Sequence, residues 1–239
     1  MRRSWLVLVL VVLMCQALYA QLGDLRLSLS GRGSYTTSSK LFYNPDSPSP
    51  TVRAQHLPFE DIFGWGVEVR IRRSEDSYFV SLSVDVLSTI VRQNQLIALT
   101  NPPQVLPVSE GIVAVPIEVG INSFVPLGSE KVRLFMGGGI GLYYAERILQ
   151  VAGVKASRQN RLVSYGIHVE SGVEYQLMPG IALKADVRFR DPEINAINRF
   201  DQPSTIFNGK LISFPRGDMK TKVNVDGLNF GIGVVVEVL

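Results

Sequence analysis

The residue types best suited to chemistry in this chain are Ser164, His168 and Glu170, which lie within seven consecutive positions. A hydroxyl, an imidazole and a carboxylate are the groups of a hydrolytic site, in which the imidazole takes the proton of the hydroxyl nucleophile. The other histidine of the sequence, His56, is distant along the chain, so a histidine-based metal site is not favoured. Whether the three groups can act together depends on the element that carries them.

A second candidate for chemistry is the glycine-rich run Gly137-Gly138-Gly139-Ile140-Gly141. Glycine-rich loops cradle phosphates when a strand precedes them and a helix begins in them. Here the dinucleotide-binding pattern fails at Leu142, no Walker lysine follows, and no helix is predicted. We therefore interpret the glycines as positions where a tightly curved β-structure bends and large inward neighbours need room. The sequence predicts no cofactor and no metal site.

The element that carries Ser164, His168 and Glu170 is a β-hairpin. Residues 163–190 alternate apolar and polar types almost without error, with one turn at Met178-Pro179-Gly180. Period-two alternation indicates strands with two chemically different faces. Each arm has about ten residues, the length that crosses a bilayer at a tilt. The same pattern predicts eight strands in all, at residues 25–35, 63–72, 77–88, 112–124, 132–145, the two arms of the hairpin, and 225–239.

The connections between these strands are of two kinds that alternate along the chain. Short turns are predicted at 73–76, 125–131 and 176–180, and long irregular loops at 36–62, 89–111, 146–161 and 191–224. All long loops then lie at one end of an antiparallel up-and-down barrel, as in outer-membrane barrels with external loops and periplasmic turns. Pro116 lies within the fourth strand, where it cannot donate a ladder hydrogen bond, so we expect a bulge or a shifted strand start there.

The first twenty residues read as a secretory signal peptide. A basic head at Arg2 and Arg3 precedes an apolar run, and Ala20 offers a small-residue cleavage site. The mature barrel domain would be residues 21–239, without the single cysteine, Cys15, and therefore without disulfides or thiolate metal sites. Two of the 24 basic residues, Arg2 and Arg3, are removed with the signal peptide, whereas all 21 acidic residues remain. The net charge of the mature chain is therefore about +1. This balance gives no support for a nucleic-acid partner.

Alternation alone does not assign the two faces of the strands. A soluble lipocalin-like barrel would carry the apolar face inside. Here the apolar face is too bulky to fill a small lumen, whereas the polar face is rich in glycine, serine and alanine with a few charges of both signs. We therefore predict that the apolar face meets lipid and that the lumen holds a mutually paired charge network. Its predicted members are Arg26, Arg32, Glu68, Arg70, Asp85, Glu118, Arg133, His168, Glu170, Glu174, Lys184, Asp186, Arg188 and Glu237.

Aromatic residues on the apolar face cluster towards the strand ends, as expected of interfacial girdles. The predicted lipid-interface residues are Tyr35, Phe63, Trp65, Tyr144, Tyr165, Phe189 and Phe230 near the long loops, and Tyr78 and Tyr175 near the short turns. With this assignment His168 points into the lumen, whereas a lipid-modifying enzyme needs its catalytic group at the lipid-facing surface. A structural lumen histidine therefore fits better than a catalytic one.

The segments 134–144 and 172–189 resemble the small outer-membrane β-barrel superfamily, the OmpA/OmpX-type transmembrane domain and its relatives. The resemblance implies location in the outer membrane of a diderm bacterium, contact with outer-membrane lipid and lipopolysaccharide, insertion by the barrel-assembly machinery, and a monomer. Such barrels commonly end in an aromatic residue, whereas this chain ends in Leu239, which departs from that assembly signal.

The predicted function is a structural, adhesive or surface-interaction role without a wide open pore, because side chains nearly fill an eight-stranded lumen. A protein partner outside the cell or within the envelope is compatible with this role. The alternatives are a barrel subunit of a secretion or envelope complex, as in PorT-like barrels, a lipid-modifying barrel enzyme, and a soluble lipocalin-like binder.

Overall fold

The computed structural model describes residues 24–97, 103–127, 129, 131–160 and 163–238. The predicted signal peptide and Leu239 lie outside the described residues. Within these ranges the chain is almost entirely antiparallel β-structure. Its strands are β1 (Leu25–Phe42), β2 (His56–Arg73), β3 (Tyr78–Ile97), β4 (Gln104–Val125), β5 (Val132–Val151), β6 (Val154–Arg158), β7 (Val163–Met178), β8 (Ile181–Arg190), β9 (Glu193–Phe200), β10 (Ser204–Phe207), β11 (Lys210–Ser213), β12 (Met219–Asn224) and β13 (Leu228–Glu237).

The strands close into two stacked rings that share β1 to β5. In the lower ring, β5 pairs with β7, then β8 and β13 follow, and β13 pairs with β1, which gives eight strands. In the upper ring, β6, β9 and β12 replace β7, β8 and β13 between β5 and β1. The strands β10 and β11 form a separate hairpin. The eight-stranded antiparallel barrel predicted from the sequence is confirmed.

The two rings have opposite polarity. The lower ring exposes apolar side chains such as Trp65, Ile140 and Ile167 on its outside and buries charged ones inside. The upper ring is filled by apolar side chains, among them Leu41, Phe59, Leu87, Ile112, Ala145 and Val223. A strand needs about 9–11 residues to cross a bilayer at a tilt, so the 22 residues of β4 extend well beyond it. The barrel thus continues outside the predicted membrane region as a β-structure with its own apolar core.

The prediction that the long connections are irregular is wrong. Much of residues 36–62 and 89–111 belongs to the extensions of β1 to β4, and β6, β9 and β12 occupy parts of the other two connections. The extensions pack inward through apolar residues such as Leu106 and Val108, between exposed or half-buried positions such as Pro107 and Ser109. The upper ring therefore has apolar residues inside, whereas the lower ring has charged residues inside. Pairing between strands that are distant in the sequence holds the extensions together.

The prediction of a bulge or a shifted strand start at Pro116 is also wrong, although the ladder is interrupted there. Val84 pairs with Ile117 and Leu87 pairs with Ala114, so the register is the same on both sides of the proline. The two intervening pairs are missing from the β3–β4 ladder, as expected for a residue without an N–H donor. Pro116 therefore interrupts the ladder without a bulge and without a shift of the strand start.

The helical content of the described residues is α1 (Pro50–Arg53), in the connection between β1 and β2. Across the described ranges, no helix has the length and apolar character needed to cross a membrane. The connection between β7 and β8 turns at Gly180, whose φ of 79° is the left-handed conformation that glycine adopts without strain.

Candidate functional site: the charged lumen and the upper polar cluster

Arg188 lies at the centre of the lower-ring lumen. Its guanidinium group reaches Glu170 Oε2 and Glu118 Oε2, both at 2.6 Å, and donates to Ser83 Oγ at 3.1 Å. Glu170 lies on the neighbouring strand β7, whereas Glu118 lies on β4, three strands away around the ring. Arg188 and both carboxylates are buried, so this side chain bridges the lumen without solvent.

A second set of ion pairs lies next to Arg188, towards the upper ring. Arg190 Nε donates to Glu118 Oε1 at 2.7 Å, and Arg32 Nη1 donates to Asp186 Oδ2 at 2.7 Å. Asp85 accepts hydrogen bonds from both Arg32 and Arg190. The carboxylate of Asp85 therefore links arginines from β1 and β8, and all five side chains are buried.

A third set of ion pairs lies towards the short turns. Lys184 Nζ donates to Glu68 Oε2 at 2.9 Å, and Arg70 donates to both Glu68 and Glu174. Arg133 Nη2 donates to the other oxygen of Glu174 at 2.9 Å. The charges alternate in sign across the lumen, so each buried charge has an oppositely charged neighbour, as burial in a low-dielectric interior requires.

Two predicted lumen residues stand apart from this network. Arg26 and Glu237 form an ion pair of 2.6 Å at the short-turn mouth, where their side chains are 44% and 25% exposed. Water competes for such a pair, so it stabilises the fold far less than the pairs around Arg188. The structure thus brings most of the predicted set together and leaves Arg26 and Glu237 at the rim.

His168 is buried beside the network, with Nδ1 at 3.9 Å from Glu118 Oε1. Ser164 lies four residues earlier on β7, about 13 Å along a strand, and its Oγ donates to the carbonyl oxygen of Glu193 at 2.6 Å. Glu170 is held by Arg188. The three groups of the hydrolytic hypothesis are therefore not assembled into a triad.

Several residues of the network were not predicted from the sequence. Arg190 shares the inward face with Arg188 but was not included, and Tyr143 donates its hydroxyl to Glu118 Oε1 at 2.8 Å. Phe79 and Phe135 also point inward, where Arg70 lies 4.6 Å from the ring centroid of Phe79. For all four residues, the period-two alternation indicates that the side chain points inward. Their bulk and aromatic character made a place in a narrow lumen hard to foresee.

The glycine run on β5 serves close backbone approach. A Cβ atom on Gly139 would overlap the carbonyl oxygen of Val119, and one on Gly137 would overlap that of Ile121. On β7, a Cβ on Gly172 would lie 2.5 Å from the ring of Phe135. These glycines let neighbouring strands approach closely, which was not predicted, and they make room for a large inward ring, which was. A bend of the barrel at these positions stays a prediction.

The predicted girdle residues lie on the outer face of the lower ring. Phe63, Trp65 and Tyr165 are largely exposed near its upper edge, with Tyr165 the most exposed of them at 84%. Tyr78 and Tyr175 are exposed near its lower edge, and Phe189 and Phe230 are exposed near the upper ends of β8 and β13. Tyr35 and Tyr144 are half-buried. Contact of these rings with the membrane interface stays a prediction.

A separate polar cluster lies in the upper ring, beyond the predicted membrane region. Tyr43 follows β1 and donates its hydroxyl to Glu110 Oε2 at 3.1 Å, while Arg147 Nε donates to Glu110 Oε1 at 2.9 Å. Burial, and next the negative charge of Glu110, raise the pKa of Tyr43 to about 12. The phenol is therefore held in its neutral form as a hydrogen-bond donor.

We expect Tyr43 to ionise at higher pH than an ordinary tyrosine. Because its pKa of about 12 in the folded state exceeds the usual value of about 10, its stabilising effect is present below pH 10 and is lost as the pH rises towards 12. The measurement is tyrosinate absorbance against pH for the wild type minus that for Tyr43→Phe, which should show a midpoint near 12. Glu110→Gln should lower this midpoint. A midpoint near 10 in the wild type would contradict the described contacts.

Comparison with known proteins supports the fold. No family model matches the chain, and no curated protein matches it. The outer membrane protein OprG from Pseudomonas aeruginosa superposes with a TM-score of 0.57 at 15% identity, over 90% of this chain and 95% of OprG. Neisserial surface protein A gives 0.45 at 12% identity, over 88% and 96% of the two chains. Ail of Yersinia pestis gives 0.46 at 11% identity, over 90% and 99%.

These observations define the class of protein. The fold is that of the small outer-membrane β-barrels, as the resemblance in the sequence implied. An exposed apolar belt around a closed barrel with a charged interior is the inverse of a soluble barrel, and closure satisfies the strand hydrogen bonds in lipid. The chain therefore has the fold of these barrels and an outer face suited to contact with lipid.

Proposed function

We propose that the protein is a closed, non-conducting outer-membrane barrel whose long-loop end serves surface interaction. The observation that carries this proposal is that side chains fill the interior of the barrel in both rings. The ion pairs around Arg188 cross the lower lumen, and the apolar core of the upper ring lies above them. An aqueous channel needs a continuous polar path. In the described residues, the buried polar side chains Glu110 and Arg147 of the upper ring are paired with each other, and apolar core side chains fill the ring beside them.

The structure also supports an exterior role for the upper ring. It extends beyond the apolar belt as a β-structure, so it would present a rigid surface rather than loose loops. In the orientation usual for these barrels, this end faces outside and the short turns face the periplasm. We expect a monomer in contact with lipid and lipopolysaccharide, inserted by the barrel-assembly machinery.

Two alternatives from the sequence are less well supported. A lipid-modifying enzyme would need catalytic groups at the lipid face, whereas His168 is inside the barrel and Ser164 is bonded elsewhere. A secretion or envelope complex would use the same closed barrel with a protein partner. Crosslinking in intact cells separates this case from adhesion, because the captured partner would be an envelope protein rather than an external one.

The closed lumen predicts the absence of steady ion conductance. The purified barrel, inserted into a planar lipid bilayer, should give no long-lived conductance steps under conditions in which a general porin does. Insertion is verified independently by protection of the lower ring from protease in vesicles. Reproducible open steps from the verified barrel would overturn the proposal that it is non-conducting.

A further inference from the structure

A cleft lies at the long-loop end, between the connection that follows β1 and the first residues of β12. Its volume is about 730 Å³, within the range of small-ligand sites. One wall includes Asn44 and Pro45, the other includes Met219 and Lys220, and Arg147 lies among the lining residues. The cleft is separate from the charged lumen.

The charges at the cleft are balanced by partners of opposite sign. Lys220 Nζ lies 3.2 Å from Asp46 Oδ2, and Arg147 is bonded to Glu110. Asp218 is paired with a basic side chain on β9. The site therefore presents no uncompensated charge that would select a strongly anionic or cationic ligand.

The hydrogen-bonding groups around the cleft are nevertheless numerous. Asn44 and Ser47 line it with amide and hydroxyl groups, which both donate and accept, whereas the buried hydroxyl of Thr221 donates to the carbonyl oxygen of Ala196. Within the described part of the chain, Arg147 makes its side-chain hydrogen bonds through Nε and Nη2, which leaves Nη1 as a further donor. A ligand with many hydroxyl groups would match this set of donors and acceptors.

The cleft also offers apolar contact. The half-buried ring of Tyr43 lies at the cleft, together with Pro45, Val52 and Met219. The hydroxyl of Tyr43 is fixed by Glu110, so the ring is held in one orientation before a ligand arrives. An aromatic ring with apolar neighbours and dispersed hydroxyl and amide groups suits a ligand that is apolar on one face and hydroxylated at its edges.

We propose that this cleft binds a neutral saccharide. Balanced charge, hydroxyl and amide groups and a fixed tyrosine ring together match the chemistry of a sugar. The proposal rests on the proposed surface-interaction function, in which the long-loop end faces the exterior. The sugar could belong to the bacterium's own lipopolysaccharide or to a glycoprotein of another cell, and the experiment separates these sources.

The test is saturation-transfer NMR on the folded barrel in an amine-oxide detergent, because glycoside detergents would compete for the site. The probes are neutral oligosaccharides released from the bacterium's lipopolysaccharide, neutral oligosaccharides released from mucin, and sialylated oligosaccharides. We expect transfer to a neutral probe in preference to the sialylated ones, and the probe that responds identifies the source. The absence of transfer to either neutral set, or a preference for sialylated probes, would overturn the proposal.

Variants locate the binding site. Asn44→Trp fills the cleft at an exposed position whose side chain makes no hydrogen bond within the described residues, and Tyr43→Ala removes the ring. Each should weaken binding by about tenfold or more. Tyr165→Ala removes an exposed tyrosine from the distant outer face and should leave affinity unchanged. Heat-modifiable gel mobility verifies that each variant is folded.

Failure of the two proposals can be told apart. If the barrel conducts ions but Asn44→Trp still abolishes saccharide binding, the closed-barrel function fails and the cleft assignment stands. If the barrel is closed but Asn44→Trp and Tyr43→Ala bind as the wild type does, the cleft assignment fails alone.

Discussion

Replacing Arg188 with methionine is expected to destabilise the barrel by about 3–5 kcal/mol, the cost of breaking a buried ion pair by removing one partner. Glu118 would still be held by Arg190, whereas the hydrogen bonds of Glu170 within the described residues all come from Arg188. Methionine keeps an unbranched apolar stem, is shorter than arginine, and cannot donate a hydrogen bond. The variant therefore leaves a buried carboxylate without a counter-charge.

The free energy of unfolding can be measured by urea titration in vesicles, with fluorescence of Trp65 on the outer face as the signal. A matched control is Arg26→Met, which breaks the ion pair with Glu237 at the exposed mouth and should cost about 0–1 kcal/mol. The double variant Arg188→Met with Glu170→Gln should recover much of the loss, because it removes the stranded charge. Equal losses for Arg188→Met and Arg26→Met would show that the network is hydrated rather than buried.

The lower ring could be predicted from the sequence because its two faces differ so strongly. Exposed Ile167 and Val169 alternate with buried His168 and Glu170, and the same contrast recurs on each strand of the ring. Lipid outside and a narrow lumen inside impose this pattern with period two. Alternation sorts the residues of each strand into two faces, and the bulk of one face and the charges of the other decide which face points inward.

The upper ring could not be predicted in the same way. Leu106 and Val108 alternate with Pro107 and Ser109, a pattern with weak contrast between the faces. The inward apolar residues are also shared among strands that are far apart in the sequence, as when β12 pairs with β1 across the upper ring. Local composition there resembled that of loops, and only long-range pairing makes it a sheet.

The pairing of charges inside the lumen could be predicted from the sequence only in part. Arg188 and Glu170 are cross-strand neighbours in the β7–β8 hairpin, so this contact follows from the turn. The contact between Arg188 and Glu118 joins residues that are 70 positions apart in the chain. It depends on how the strands are staggered around the ring. Parity identifies which charges enter the lumen, whereas the stagger decides which of them meet.

Replacing Val84 with arginine is expected to cost about 2–4 kcal/mol of folding free energy in a lipid bilayer. Val84 is on the outer face of β3, between Val67 and Ile117, and both of these neighbours are exposed on the apolar belt. An arginine there would place its guanidinium near the middle of the hydrocarbon region. The destabilisation comes from removing that charge from water, since the substitution changes no lumen contact.

The matched control is Ile90→Arg on the same face of the same strand. Ile90 is exposed and lies six residues beyond Val84, about 20 Å along the strand and past the level of the aromatic girdle. Its substitution should cost about 0–1 kcal/mol, because an arginine near or beyond the interface can stay hydrated. Unfolding titrations in vesicles measure both variants, and the difference between them reports membrane depth. If the two substitutions cost the same, the outer face of β3 does not meet lipid at Val84, and the apolar belt must be covered by protein instead.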